Sequence, residues 1–413
     1  MLIKKKTITT FLGQIGIAGI AVYQMFLRDV LHVSKTFMYA ATVCCLICIL
    51  YSLMDGAFRV RRYKILMLFI AFHIYLLFSG LLFSADVGRA TSFWLNYSLD
   101  YVAFLCAFAI ISEDRNTDTA ILLIGIGAFS MLLMMLFNTA IHVGVNRIKL
   151  SENSNTNYTG LIFAIGFWML VFLAKKIMKI NSLNVLIAAM TSIGIMMTGS
   201  RKSLLILGVI FIFYVYNYVK SVSGAKKFFT IAVVILIICF GASYMVGAFN
   251  GMAISQRFAS IGDNSSDLLR IQMYKDGLRL FLQNPIFGCG YQSHAITMQT
   301  GVYSHSNIIE VIDNGGIIGA IIYFSAFISI PVELIRVRKT IKAFQMENSL
   351  EELELSDNLY RCNMLIILWC VFAALSFVLV FIYGTLYQIY MALLCANVYY
   401  LKNKVNSFAN SEY

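Results

Sequence analysis

YSHSNIIEVIDNGGIIGAIIYF, Tyr303 to Phe324, carries a histidine, two asparagines, a glutamate and an aspartate into a long apolar run. Hydrocarbon would expel these groups, so they must look into protein or into a water-filled cavity. A helix beginning near Ser306 puts Asn307, Glu310 and Asn314 on one face at i, i+3 and i+7, with Asp313 beside them. Gly315 and Gly319, four apart, let a neighbouring helix approach the same segment closely. His305 stands at the positive end of that helix, which favours the neutral imidazole. A neutral histidine beside a cationic anion site can take a proton from a hydroxyl. A structural, hydrogen-bonding histidine is the alternative that the local sequence leaves open.

The rest of the chain explains why such a helix needs a polar lining. Hydrophobic residues make up 60% of the 413 and charged ones 13%, and the mean hydropathy is +0.79. Apolar stretches long enough to cross a ~30 Å hydrocarbon core recur throughout. They lie near 8–27, 36–54, 65–84, 95–112, 119–142, 157–174, 183–198, 203–219, 228–248, 311–333, 363–381 and 383–401. The expectation is an all-α polytopic membrane protein with about 12 transmembrane helices.

The net charge of +12 is topological. Basic residues cluster at alternate ends of the spans, as at Lys4–Lys6, Arg59–Lys64, Lys175–Lys179, Lys220–Lys227 and Arg336–Lys342. In all, 21 of the 32 Lys and Arg fall on one side, leaving 11 on the other. The positive-inside rule makes the richer side cytoplasmic, with both termini there. Nucleic acid is excluded as a partner, since no compact basic patch remains. Of the nine cysteines only Cys289 falls in an outside loop, so no disulfide framework is expected.

Residues 1–413 read as one integral membrane domain, with two long connections inside it. Residues 334–360 form a cytoplasmic loop, basic and then acidic, read either as a surface helix or as a solvated connector, the latter preferred. Residues 249–310 form a large extracytoplasmic loop with short helices, dense in glycine and holding two histidines. Within it, SSDLLRIQMYKDGLRLFLQNPIFGCG (Ser265–Gly290) reads as a helix stopped by Asn284-Pro285. Gln272, Lys275, Asp276, Arg279 and Gln283 share its polar face. Arg270 lies opposite, in line with Tyr274, Gly277 and Phe281. A guanidinium turned inward needs a partner: either an acid such as Asp267, or an anion such as phosphate or pyrophosphate, the reading preferred here. TGSRKSLL (Thr198–Leu205) sets Arg201 and Lys202 on the outside, against the charge bias. Arg201 is a second candidate anion contact, while lipid headgroups account adequately for Lys202. Arg147 is a further candidate, an ordinary loop charge being equally consistent. DNSSD (Asp263–Asp267) reads as helix capping, so no metal site is assigned. His294, in GYQSHAI, reads as a loop residue.

In this order the pieces TGSRKSLL, R-x6-GLRLF-x2-NPIFGCG and SHSNIIEVIDNGGIIG resemble the O-antigen polymerase and O-antigen ligase superfamily, the Wzy and WaaL type. The resemblance implies transfer of a glycan from undecaprenyl pyrophosphate to an acceptor at the outer face of the bacterial cytoplasmic membrane. It implies that arginines hold the pyrophosphate and a loop histidine assists the acceptor hydroxyl, which falls on Arg201, Arg270 and His305. Asn307, Glu310, Lys202, Arg147 and Tyr274 are the supporting candidates. Many relatives have His-Asn where this chain has His305-Ser306, and the pattern is closer to capsular polymerases than to ligases. The expected partners are a lipid-linked oligosaccharide donor and acceptor, membrane lipid, a flippase and a chain-length regulator. The displacement as read uses no cofactor. A ligase acting on finished glycan is the rival within the class, and a flippase or transporter the rival outside it.

Overall fold

The structure, a computed structural model, describes residues 2–23, 27, 33–54, 63–112, 117–139, 156–170, 181–221, 224–225, 228, 265–298, 302–347 and 352–411. Every regular element among them is helical: α1 (Leu2–Val22), α2 (Thr36–Met54), α3 (Lys64–Phe83), α4 (Val87–Ile111), α5 (Thr117–Thr139), α6 (Thr156–Trp168), α7 (Asn181–Thr198), α8 (Arg201–Ser221), α9 (Ser265–Gln283), α10 (Ser293–Thr297), α11 (Asn307–Glu347), α12 (Glu352–Leu375) and α13 (Thr385–Ser411). The described segments 64–83, 87–111, 118–137, 307–345 and 355–375 are five helices long and apolar enough to cross a membrane. Shorter apolar helices at Leu12–Val22, Thr36–Leu50 and Leu186–Thr198 fall on three further expected spans. The expected span 228–248 lies outside the described residues, apart from Phe228.

The chain forms two compact units. The first comprises Met1–Ala21, Lys35–Ala120 and Ser265–Tyr413. Its centre is α11, which packs on α3, α9, α12 and α13, while α4 packs on α2, α3 and α13. Gly319 allows the close approach of α11 to α3, since a Cβ there would lie 3.1 Å from the Tyr75 ring. Gly315 faces the same ring, but a Cβ there would meet it at an ordinary 3.5 Å. The turn into α4 is set by Asp86, whose carboxylate accepts from Arg89 N at 2.9 Å and so satisfies one free donor of the first turn. The expected loop 334–360 is largely helix. α11 continues through its basic stretch to Glu347, and α12 opens in its acidic stretch at Glu352. Glu333 fastens this end by ion pairs to Arg336 at 3.0 Å and Lys402 at 2.9 Å.

The second unit comprises Val22–Ser34 and Ile121–Asn264. α6 is apolar all round and almost wholly buried, as expected of a helix enclosed by others. Its glycines make the enclosure possible: Gly166 sits against Ala128 of α5, and Gly160 against Thr198 and Ser203. Between α7 and α8, Gly199 takes a positive φ of 62°. Ser200 then caps α8, its hydroxyl 2.8 Å from that of Ser203.

Candidate functional site

The opening stretch is not one continuous helix. At Gly316 the backbone turns to φ 60°, ψ −160°, so that α11 is two helical segments joined at a kink. A break at this depth frees carbonyls above and N–H groups below, and hydrocarbon offers them nothing. The NPIFGCG turn supplies the partners. Ile317 N donates to Pro285 O at 2.8 Å and Ile318 N to Ile286 O at 3.2 Å; Cys289 N donates to Asp313 O at 2.7 Å and Gly290 N to Asn314 O at 3.1 Å. From α3, Ser79 Oγ bridges Phe287 O and Asn314 O, both at 2.9 Å, and Tyr75 donates to Phe287 O at 2.9 Å. Asn284-Pro285 therefore ends α9 where its chain can splint the broken helix, and Gly288, at φ 79°, lets the two backbones touch.

The upper segment of α11 carries the polar face read from the sequence, and that face looks into protein. Asn307, Glu310, Asp313 and Asn314 are each 0% exposed. Asn307 Oδ1 accepts from Phe381 N at 2.9 Å and its Nδ2 donates to the Tyr323 hydroxyl at 2.8 Å. Glu310 accepts from Ser304 N and, at 2.6 Å, from the Tyr383 hydroxyl. Asn314 donates to that same hydroxyl, and its Oδ1 accepts from Ser293 N at 3.1 Å and Ser293 Oγ at 3.0 Å. The network joins three connections to one half-helix: residues 290–293, 302–306 and 376–384. Asp313 stands apart, both carboxyl oxygens lacking a hydrogen-bond partner among the described residues.

The histidine segment is mounted on this network. Residue 305 itself takes a left-handed conformation, φ 62°, uncommon for a residue with a side chain. Its flanks are pinned. Ser304 N is held by Glu310, Ser304 Oγ donates to Ser306 O at 3.1 Å, and Ser306 Oγ donates to Ser376 O at 3.3 Å. His305 is half-buried, with its ring 4.7 Å from that of Tyr303. Tyr303, Tyr97 and Tyr291 gather around Tyr383 at centroid distances of 6.2, 5.5 and 5.3 Å. Burial, with the Glu310 carboxyl adding to it, pushes the Tyr303 phenol up, so it stays neutral and able to donate.

On α9 the two faces fall as the periodicity requires. Gln272 donates to Asp276 at 2.9 Å, and Arg279, 71% exposed, pairs with Asp276 at 3.3 Å on the solvated side. On the other side Gly277 is packed against Ile309 and Asp313 of α11, and Tyr274 donates to Phe377 O at 3.1 Å. Burial pushes the Tyr274 phenol up, against the pull of the Arg270 guanidinium, which places that charge beside it. Arg270, His305, Asn307, Glu310 and Tyr274 all belong to the first unit; Arg201 and Lys202, half-buried in the first turn of α8, belong to the second. Arg147 and the Asp267 side chain lie outside the described residues.

Residues 185–324, from α7 into α11, match the family model described as O-antigen ligase. The match covers about a third of the chain and supports its resemblance to the O-antigen ligase and polymerase superfamily. No curated protein matches the chain significantly. The matched segment contains the break in α11, its splint, and Arg201, Lys202, Arg270, Tyr274, His305, Asn307 and Glu310.

Three contributors to this buried network were not legible beforehand. His294, expected to be a loop residue, is 1% exposed, with Nδ1 3.0 Å from Val302 O and Nε2 3.1 Å from Met273 O. It ties α9 to the segment bearing His305. Tyr383 and Ser79 come from distant parts of the chain, and nothing in their own neighbourhoods marks them. For Glu310 the described partners are Ser304 N and Tyr383, so the geometry gives it the backbone beside His305 to hold.

Proposed function

We propose that the chain polymerises undecaprenyl-pyrophosphate-linked oligosaccharide repeat units at the outer face of the cytoplasmic membrane. The observation that carries this reading is the half-exposed His305, set in a strained backbone conformation on a segment pinned by Glu310, Ser376 and His294. Backbone strain persists where the surroundings over-determine it, and such places are often reactive. The superfamily match supplies the class of chemistry.

In the proposed step the His305 imidazole takes the proton of an acceptor sugar hydroxyl as that oxygen bonds to the anomeric carbon of the donor. The bond from that carbon to the pyrophosphate oxygen breaks, and undecaprenyl pyrophosphate departs with the electron pair. Arg270 and Arg201 are the proposed cationic contacts for the charge growing on the pyrophosphate, each tested by its own substitution. Lys202 and Arg147 are supporting candidates. Asn307, Glu310 and Tyr274 act by holding the segments around His305, and a flippase and a chain-length regulator are the proposed partners in the membrane.

A second reading follows from the description of the matched family, a ligase that moves finished glycan to another acceptor. One experiment separates the two. Surface glycan is sized on gels from a deletion strain complemented with wild type, His305→Ala, Arg270→Ala or Arg201→Ala. Loss of the long-chain ladder in the variants, with single lipid-linked repeats remaining, fits the polymerase. Long chains that persist on lipid fit the ligase. An undiminished ladder in His305→Ala at normal protein level refutes both assignments of that histidine.

A further inference from the structure

Single exposed aromatics are common on proteins, but Tyr303 has three features that a surface ring ordinarily lacks. It is 37% exposed although the backbone on both sides is fixed, Val302 O facing His294 at 3.0 Å and Ser304 N bound to Glu310. Its ring stands 4.7 Å from the His305 imidazole, the two planes at 62°. Its inner side rests on Tyr383, whose hydroxyl is itself held by Glu310 and Asn314. The result is an aromatic ring partly open to solvent, carried on a held backbone and adjoining the proposed base.

We propose that Tyr303 is the platform on which a sugar ring of the acceptor stacks. A pyranose has a face of C–H groups and a rim of hydroxyls. An aromatic ring offers the matching apolar face, and tyrosine does so at a low cost in side-chain entropy. A sugar lying on Tyr303 presents its rim toward His305, so the platform chooses which hydroxyl meets the imidazole. Orientation of this kind is a large part of what a transferase contributes to a displacement between two bound sugars. Tyr291, edge-on to Tyr383 and 1% exposed, backs that ring and forms no further subsite. The identity of the ligand as an acceptor rests on the transferase reading; the stacking of a saccharide does not.

The test is a binding measurement that needs no turnover. Oligosaccharides released from the strain's own surface polysaccharide by partial acid hydrolysis are titrated against the purified full-length protein in detergent. Saturation-transfer NMR reports the sugar C–H protons that touch the protein. Wild type, Tyr303→Phe and Tyr303→Trp keep an aromatic face and should bind alike, whereas Tyr303→Leu should bind about fivefold more weakly. Thermal unfolding confirms that each variant is folded, and the Trp variant answers for the site should the Leu variant fail to fold. Equal binding by Tyr303→Leu overturns the proposal and leaves an interfacial anchor as the role of the ring. Equal loss in Tyr303→Phe also overturns it, because the hydroxyl and not the face would then be the contact. The transferase reading fails separately. If Tyr303→Leu loses binding while His305→Ala still builds polymer, the platform stands and the catalytic histidine does not.

Discussion

Gly316→Ala places a methyl group where α11 breaks, and the structure gives its cost. The backbone there, φ 60° and ψ −160°, is open essentially to glycine alone, so a side chain costs of order 1–3 kcal/mol in strain. The new Cβ would lie 2.5 Å from both Gly288 N and Ile286 O. These are backbone atoms, and no rotamer moves them aside. The NPIFGCG turn must lift instead, weakening the bonds from Ile317 N to Pro285 O and Ile318 N to Ile286 O, worth about 1 kcal/mol each. The total is about 3–5 kcal/mol, a large part of the stability of an ordinary domain. The neighbouring Gly315 is the control. A Cβ there meets only the Tyr75, Leu76 and Phe72 side chains at 3.5–3.7 Å, ordinary contact distances, so Gly315→Ala should be near neutral. Both proteins would be unfolded by heat and by denaturant in the same detergent. Gly316→Ala unfolding together with Gly315→Ala would refute the broken helix and its splint.

Glu310→Ala leaves Ser304 N and the Tyr383 hydroxyl buried without an acceptor. It should destabilise by about 2–6 kcal/mol, at about 1–3 kcal/mol for each orphaned group. Glu310→Gln keeps one acceptor and offers Tyr383 a donor, so it should recover most of that loss in the same unfolding assay. Equal loss in both variants would show that the charge and not the geometry matters. The Cys289 thiol donates to Leu280 O at 3.1 Å, and burial, with Asp313 adding to it, pushes it from 9.0 up to about 11. In purified protein retaining Cys289 alone, maleimide labelling at pH 8 should run about a hundredfold slower than for an unperturbed thiol. The rate should rise about tenfold per pH unit toward pH 11. Rapid labelling at pH 8 would mean that the turn is open.

Much of this site was readable in the residues because its physics is local. Asn307, Glu310 and Asn314 share a face by helical spacing, and Arg270 and Tyr274 fall opposite Arg279 by the same arithmetic. Asn284-Pro285 stops α9 because proline cannot continue a helix. The break at Gly316 was not readable. Gly315-Gly316 inside an apolar run fits both close helix packing and a change of backbone direction, and only the arrival of NPIFGCG at that height decides between them. The two glycines divide the roles: 315 faces the neighbouring helix and 316 takes the turn. Tyr383, Ser79 and His294 were silent for a related reason. Their partners lie at separations of 73, 235 and 21 residues, where local periodicity carries no information. The extension of α11 through RVRK to Glu347 was missed because span length was bounded by hydropathy, while a helix can continue into water on side-chain pairs such as Arg336–Glu333.

The polar residues of the opening stretch now have a reason that hydropathy alone does not provide. An unbroken apolar helix could have crossed the membrane at no cost, but it would have offered no place to fix a loop. Breaking it at Gly316 gives the upper segment a short, separately held body, and Asn307, Glu310 and Asn314 convert that body into an anchor for three connections. Each buried amide or carboxyl is expensive alone and acceptable when fully bonded, so the network locks these connections together. His305 and Tyr303 sit on one of them, residues 302–306, which Glu310 holds. Catalytic groups are most effective when held within a fraction of an ångström of their working geometry by neighbours that are themselves locked. By this logic the site fails first through its mounting. Substitutions at Asn314 or Tyr383, buried and bonded to each other, should blunt the proposed transfer as surely as substitution of His305 itself.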